Sequence, residues 1–201
     1  MTDDFKIIGL TGQSGAGKST VSQVFEDFGA MVIDADSLAH KALETQECKE
    51  NLRKAFGEDI FDENGEVIRK ALARAAFKDK ESTELLNKCT HPVIIKLSHE
   101  AFDKAKDKGY NAAVFDAPTL FESGLDGMCT SVISVIAPKD IRAQRIMIRD
   151  NLSLEDAYLR LNAQYADSFY TDKSDYVIEN NTTKAQLIKK TQDICKELFN
   201  E

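Results

Sequence analysis

Eight residues near the N-terminus, Gly12-Gln13-Ser14-Gly15-Ala16-Gly17-Lys18-Ser19, carry the spacing G-x-x-x-x-G-K-[ST]. A run of this kind wraps backbone N–H groups around an anion. Its lysine reaches the β- and γ-phosphates of a nucleoside triphosphate, and the hydroxyl that follows suits Mg²⁺. The chemistry needs such a turn at a helix N-terminus, where unpaired N–H groups and the helix dipole add positive potential. The flanks meet that need. Phe5-Lys6-Ile7-Ile8-Gly9-Leu10-Thr11 reads as a short buried strand. Val21, Val24, Phe25 and Phe28 recur at i, i+3, i+4 and i+7 before Gly29, the period and stop of an amphipathic helix. Gly12, Gln13, Ser14, Gly15, Ala16, Gly17, Lys18, Ser19 and Thr20 are therefore the expected phosphate-binding residues, with Lys18 stabilising charge and Ser19 on the metal.

Carboxylates come next. Asp34 and Asp36 follow the apolar run Met31-Val32-Ile33, and ligands of open α/β sheets bind beyond the carboxyl ends of strands. If the extended backbone continues to Asp36, the i, i+2 spacing turns both side chains the same way. A carboxylate there accepts a proton from an acceptor hydroxyl or orients Mg²⁺ through water. Equally, Asp36 caps a helix beginning at Ser37-Leu38, and the local sequence does not separate these readings. Asp116 ends Ala113-Val114-Phe115 and resembles the second, metal-supporting acid of phosphate-loop proteins, although a short apolar run followed by Asp is common. Asp62-Glu63-Asn64-Gly65 matches the D-x-x-G string of GTPases. No strand precedes it and no N-K-x-D follows, since Asn87-Lys88 continues as Cys89-Thr90, so a surface turn is expected.

The cationic candidates are Arg142, Arg145 and Arg149, whose offsets of three and seven place them on roughly one face of a helix after Pro138. Ile141, Ile146 and Ile148 are expected to pack away from that face, and Arg160 lies on the next helix. Arginine runs are usually solvated faces paired with carboxylates. Beside a triphosphate site, Arg145 and Arg149 gain a second reading, as lid residues that neutralise charge on a transferred phosphoryl group. Arg69 is a candidate anion contact, while His91 and His99 have no triad partner nearby.

These residues require a scaffold of strands. Besides the first, the expected strands are Met31–Ile33, Ala112–Phe115, Ser131–Ala137 and Tyr176–Ile178, continuous apolar runs of the kind found in parallel sheets covered on both faces. Leu187, Ile188, Thr191, Ile194, Cys195 and Leu198 predict a closing helix. The long interval after the second strand has helical stripes and no strand signal, which reads as a helical insertion over 37–109. A shorter one covers 139–170. The core is left in three parts, 1–36, 110–138 and 171–201.

Composition bounds the alternatives. With 201 residues the chain fits one compact domain with insertions. A formal charge of −8 argues against a nucleic-acid grip. The four scattered cysteines lack metal-ligand spacing and read as reduced thiols of a cytoplasmic protein. The acidic start Met1-Thr2-Asp3-Asp4 is unlike a signal peptide, and no apolar run reaches membrane-spanning length.

Taken in order, the motifs resemble the dephospho-coenzyme A kinase family almost end to end. Gly9-Leu10-Thr11-Gly12 opens the phosphate loop, Gly29 to Asp36 matches G-x-x-V-I-D-A-D, and Phe56-Gly57 matches the FG step. His40 stands where the family often has Ala or His. Ile68-Arg69-Lys70-Ala71-Leu72 and His91-Pro92-Val93-Ile94 follow, then Pro118-Thr119-Leu120-Phe121-Glu122. Arg142 to Arg149, Arg160 to Gln164 and Ser174 to Asn180 complete the set. Thr119, Arg142 and Ser174 depart from the family's leucine, glutamine and alanine. The resemblance implies an α/β P-loop kinase fold: a five-stranded, mostly parallel sheet with helices on both faces, a helical acceptor-binding insertion and a helical lid. It implies ATP and Mg²⁺, phosphorylation of the ribose 3′-hydroxyl of dephospho-coenzyme A, and no nucleic-acid, membrane or obligate protein partner. Asp36 becomes the candidate base with Asp34 in support. Lys18, Arg145 and Arg149 become the phosphoryl-stabilising cations, and Arg69 and His91 the acceptor wall.

Overall fold

The computed structural model describes residues 5–199, so the acidic Met1–Asp4 start lies outside the described residues. Five strands form one sheet: β1 (Lys6–Gly12), β2 (Ala30–Asp34), β3 (Ala112–Asp116), β4 (Ser131–Ile136) and β5 (Tyr176–Glu179), in the order β2-β3-β1-β4-β5. β1 runs parallel to β3 and β4, and β4 parallel to β5. The chain leaves β1 toward β2 on one side and later crosses to β4 on the other. The carboxyl end of β1 is thus a topological switch point, where ligands of such sheets bind.

Alternation along β1 builds the two faces. Ile8 and Leu10 are fully buried against α1 (Lys18–Asp27) and α9 (Lys184–Phe199), which contribute Val21, Phe25, Leu187 and Cys195 to the same core. The rings of Phe25 and Phe199 meet edge to face at 6.2 Å. Gly9 faces the other way. A Cβ there would lie 2.7 Å from Leu120 Cδ2 and 2.8 Å from Cys129 Sγ, so glycine lets the segment after β3 pack directly on the strand. Gly29, at φ 82°, ends α1 as its position suggested.

Three helices make up the crossover from β4 to β5: α6 (Lys139–Asp150), α7 (Leu154–Asn162) and α8 (Asp167–Thr171). Ala143, Ile146, Ala157 and Leu161 give α6 and α7 a small core of their own. The expected arginine face is corrected here. Arg142 is 5% exposed and lies i, i+4 from the buried Ile146, on the packed side of α6, whereas Ile148 is 85% exposed. Two residues beyond Ile146 is a rotation of about 200°, which carries Ile148 to solvent rather than to the core.

The chain divides into two compact units, one built from residues up to Ile33 and again from Lys104, the other from Asp34–Asp103. The second is helical, with α2 (Ala35–Glu44), α3 (Gln46–Phe56), α4 (Arg69–Ala76) and most of α5 (Lys80–Asp107). Its core includes Leu38, Cys48, Leu52, Ile60 and Leu72. Asp62–Gly65 is the turn expected from its sequence: Asp62 Oδ1 accepts from the N–H groups of Asn64 and Glu66, both at 2.9 Å.

Candidate active site

The loop between β1 and α1 is shaped by three glycines with positive φ, each against a different neighbour. Gly12 has φ 136°, and a Cβ would sit 2.1 Å from the Val135 carbonyl oxygen of β4. At Gly15, φ 79°, it would approach the Arg142 carbonyl at 2.9 Å. At Gly17, φ 110°, it would meet Asn180 Nδ2 at 2.6 Å. The glycine spacing thus reflects three close approaches as well as left-handed backbone. The Gln13 N–H donates to Val135 O at 3.3 Å, and the Ala16 N–H to Gln13 O at 3.1 Å. The N–H groups of Gly15, Gly17 and Ser19 have no hydrogen-bond acceptor among the described residues. They form an anion cradle at the start of α1 that fits the phosphates of a nucleotide.

Lys18 Nζ folds back to the Gly12 carbonyl at 3.3 Å, and Ser19 is exposed at the mouth. One turn on, Ser22 Oγ donates to Asp116 Oδ2 at 3.2 Å. Asp116 is the last residue of β3 and pairs in register with Leu10 of β1. That contact puts its carboxylate beside the first turns of α1, on the i, i+3 row that contains Ser19. A hydroxyl and a nearby carboxylate suit Mg²⁺, which takes few protein ligands and completes its shell with water and phosphate oxygen.

Side chains of α6, α8 and the β5 end hold the loop from outside. Arg145 donates through one terminal nitrogen to Gly15 O at 3.1 Å and Ala16 O at 3.3 Å. Gln13 Nε2 donates to Asp167 Oδ1 at 2.7 Å, and Asn180 Nδ2 to Ala16 O at 2.7 Å. Arg142 is a structural brace. Its Nε donates to Ala137 O at 2.9 Å, and its terminal nitrogen to Gln164 Oε1 at 2.8 Å. Burial pushes its pKa below the ordinary arginine value, with Asp167 acting in the opposite sense. Arg149 instead forks onto Asp150 at 2.7 and 2.8 Å, and Arg160 reaches the same carboxylate at 2.6 Å. Asp150 is therefore the shared anion of two arginines, and its hydrogen bond to Arg149 holds its pKa below the usual carboxylate value.

In the helical unit, β2 ends at Asp34 and α2 begins at Ala35, so the extended backbone does not reach Asp36. Asp34 is the cap. Its carboxylate accepts from the Asp36 N–H at 2.9 Å and the Ser37 hydroxyl at 2.7 Å. The pairing of both acids along one strand face and the capping role for Asp36 are both corrected by this geometry. The Asp36 side chain is exposed in the first turn, with no hydrogen bond to its carboxylate among the described residues. Arg69 opens α4 and lines a groove of about 310 Å³ with His40, Leu43, Leu72, Phe77 and Leu86. His91 lies on α5 outside that lining, and burial lowers its pKa.

Gln164, Asp167 and Asn180 carry no chemical role that is visible in the sequence. Asn180 carries two usable signals, its place immediately after a parallel strand and its position closing the Ser174–Asn180 motif. The other two act through contacts with residues more than twenty positions away, which spacing does not reveal.

A phosphate cradle at the switch point of a parallel sheet, bordered by an arginine-bearing helical segment, defines a P-loop kinase. The family model described as dephospho-CoA kinase matches residues 6–186, and the chain belongs to that family. A dephospho-CoA kinase of Fusobacterium nucleatum is 38% identical over 94% of this chain and 97% of its own length. One from Listeria monocytogenes is 38% identical over 93% and 92%. Among solved structures, a Thermus thermophilus protein superposes with a TM-score of 0.80 at 32% identity, covering 98% of this chain and 99% of that one. A Campylobacter jejuni dephospho-CoA kinase gives 0.68 at 28% identity, covering 96% of each chain. A shikimate kinase from Acinetobacter baumannii, 18% identical over 98% and 94% with a TM-score of 0.55, shares the fold.

Proposed function

We propose that this kinase transfers the γ-phosphoryl group of ATP to the ribose 3′-hydroxyl of dephospho-coenzyme A, giving coenzyme A and ADP. The observation that carries the reading is family membership across residues 6–186, which span both the phosphate-loop core and the helical unit. In this reaction the 3′-oxygen forms a bond to the γ-phosphorus while the bond from that phosphorus to the β,γ-bridging oxygen breaks. The hydroxyl proton passes to a base.

Gly12 to Thr20 hold the nucleotide phosphates, and Lys18 moves from Gly12 O to charge on the transferred group. Ser19 and Asp116 are the residues that would hold Mg²⁺. Bound there, the ion would supply neutralisation of phosphate charge. Asp36 is the general base, a role favoured by a carboxylate not engaged in the helix cap, and Asp34 fixes the turn that presents it. Arg145 steadies the loop and retains further guanidinium donors for phosphate oxygens. Arg149 joins it when released from Asp150. Arg69, at a mostly apolar groove, suits an acceptor combining anionic diphosphate with a less polar arm, and His91, on α5 outside that groove, is the further acceptor contact the family resemblance implies. A lid that excludes water protects the phosphoryl group from hydrolysis. No helix among the described residues is long and apolar enough to cross a membrane. The activity is assigned to the cytoplasm, without a nucleic-acid, membrane or obligate protein partner.

ADP release measured with dephospho-coenzyme A, nucleoside monophosphates and shikimate tests the proposal. Release above the acceptor-free rate is expected with dephospho-coenzyme A alone. Equal or greater release with another acceptor would reassign the substrate.

A further inference from the structure

Asn180 stands at the carboxyl end of β5, where its backbone N–H donates to Ile136 O at 2.8 Å and anchors it to β4. Its side chain is buried at 3% exposure. The amide nitrogen donates to Ala16 O at 2.7 Å, while Oδ1 is buried with no hydrogen-bond partner among the described residues. The carbonyl accepts only donors, so this orientation of the amide is fixed by its partner. Leaving a buried amide oxygen unpaired is costly relative to satisfying it. The residue meets that cost while its nitrogen holds one particular peptide of the phosphate loop.

That peptide joins Ala16 to Gly17. It is planar and trans, so its C=O and N–H point in opposite directions. Asn180 and Arg145 both donate to the Ala16 oxygen, using its two lone pairs from outside the loop. The Gly17 N–H consequently points away from them, and it has no acceptor among the described residues. Asn180 also occupies the space that a Cβ at position 17 would need. One side chain thus selects the residue at 17 and sets the direction of its N–H.

We propose that Asn180 is a positioning residue for nucleotide binding, fixing the Ala16–Gly17 peptide plane so that the Gly17 N–H is aimed at a phosphate oxygen before the nucleotide arrives. Preorganised donors of this kind need no rearrangement on binding. This inference rests on the reading of the loop as the ATP site. It predicts that losing the Asn180 donor weakens binding of phosphate-bearing nucleotide and leaves the acceptor side unchanged.

The test compares wild type with Asn180→Asp, which keeps the shape and loses the donor, and with Asn180→Ala. MgADP binding is measured by calorimetry, and KM for ATP and for dephospho-coenzyme A by ADP release. Loss of one hydrogen bond worth about 1.4 kcal/mol is a tenfold effect. ADP affinity is therefore expected to fall about tenfold in Asn180→Ala and further in Asn180→Asp, whose charge repels phosphate. The KM for ATP should rise in parallel, with that for dephospho-coenzyme A within about twofold. In ¹⁵N spectra of wild type, MgADP should move the Gly17 amide proton downfield, and this shift should shrink in Asn180→Asp. Unchanged ADP affinity in the variants, or a wild-type Gly17 amide that does not respond to MgADP, overturns the proposal even if Asn180→Ala does not fold. Failure of wild type to bind MgADP would instead overturn the ATP-site reading on which it rests.

Discussion

Replacing Arg145 with methionine tests how the α6 segment and the phosphate loop act together. The side chain spends one nitrogen on two loop carbonyls, Gly15 O at 3.1 Å and Ala16 O at 3.3 Å. A hydrogen bond from a charged donor contributes about 1.5–3 kcal/mol. Because both contacts share one nitrogen and the second is long, they count as roughly one and a half bonds, or about 2–4 kcal/mol. At 1.4 kcal/mol per factor of ten, kcat/KM for ATP should fall about 30- to 1000-fold. Methionine keeps much of the apolar stem, so the loss is that of the guanidinium rather than of packing. Arg145→Lys retains charge without the planar fork and should fall between methionine and wild type. Initial rates of ADP release are measured with ATP varied at saturating dephospho-coenzyme A, then with the two exchanged. The KM for dephospho-coenzyme A should move less than about threefold, since these contacts do not involve the acceptor. An Arg145→Met enzyme within threefold of wild type in kcat/KM for ATP would refute the reasoning.

Asp36→Asn should keep MgADP affinity within about twofold and lower kcat by about 10²–10⁴, the usual contribution of a positioned base; near-normal kcat removes Asp36 from that role. Arg69→Ala should raise the KM for dephospho-coenzyme A about tenfold with KM for ATP unchanged, as expected for loss of a charge-assisted contact; equal effects on both would disconnect the groove from the acceptor. Burial raises the Cys48 thiol to about 11 and the Cys129 thiol to about 12, with Cys89 and Asp126 adding to the respective shifts. Below the unfolded value of 9.0 both states keep these protons, and above it the unfolded chain releases them first. The urea midpoint should therefore fall as pH rises from 9 toward 11, and Cys129→Ser should flatten that fall; an unchanged slope in Cys129→Ser contradicts the assignment.

The strands and the loop were legible because their signals are local. Five apolar runs ended in Asp, Asn, Pro or a glycine turn, and each became a strand within a residue or two of its expected limits. The Asp34–Asp36 geometry was not legible, because a two-residue difference in where β2 gives way to α2 decides which acid caps and which is left exposed. The arginine face failed for a different reason. Periodicity gives angles around a helix but not which side is buried, and Arg142 proved to be a packed brace bound to Gln164. Two departures from the family pattern have a structural account: Arg142 is that brace, and the Ser174 hydroxyl pairs with the fully buried Ser134 hydroxyl of β4, which an alanine would leave without that partner. Nothing in the structure explains Thr119 in place of leucine. The outside supports of the phosphate loop, Asn180 above all, depend on contacts 129 to 164 positions apart and emerge only from the fold.

The ribose 3′-hydroxyl of dephospho-coenzyme A is the group on which the activity turns. Purified protein with Mg²⁺, ATP and dephospho-coenzyme A should yield ADP and coenzyme A in equal amounts, resolved by chromatography and mass. The 3′-deoxy analogue of dephospho-coenzyme A should give no phosphorylated product. Phosphorylation of that analogue, or no coenzyme A from dephospho-coenzyme A itself, would contradict the account.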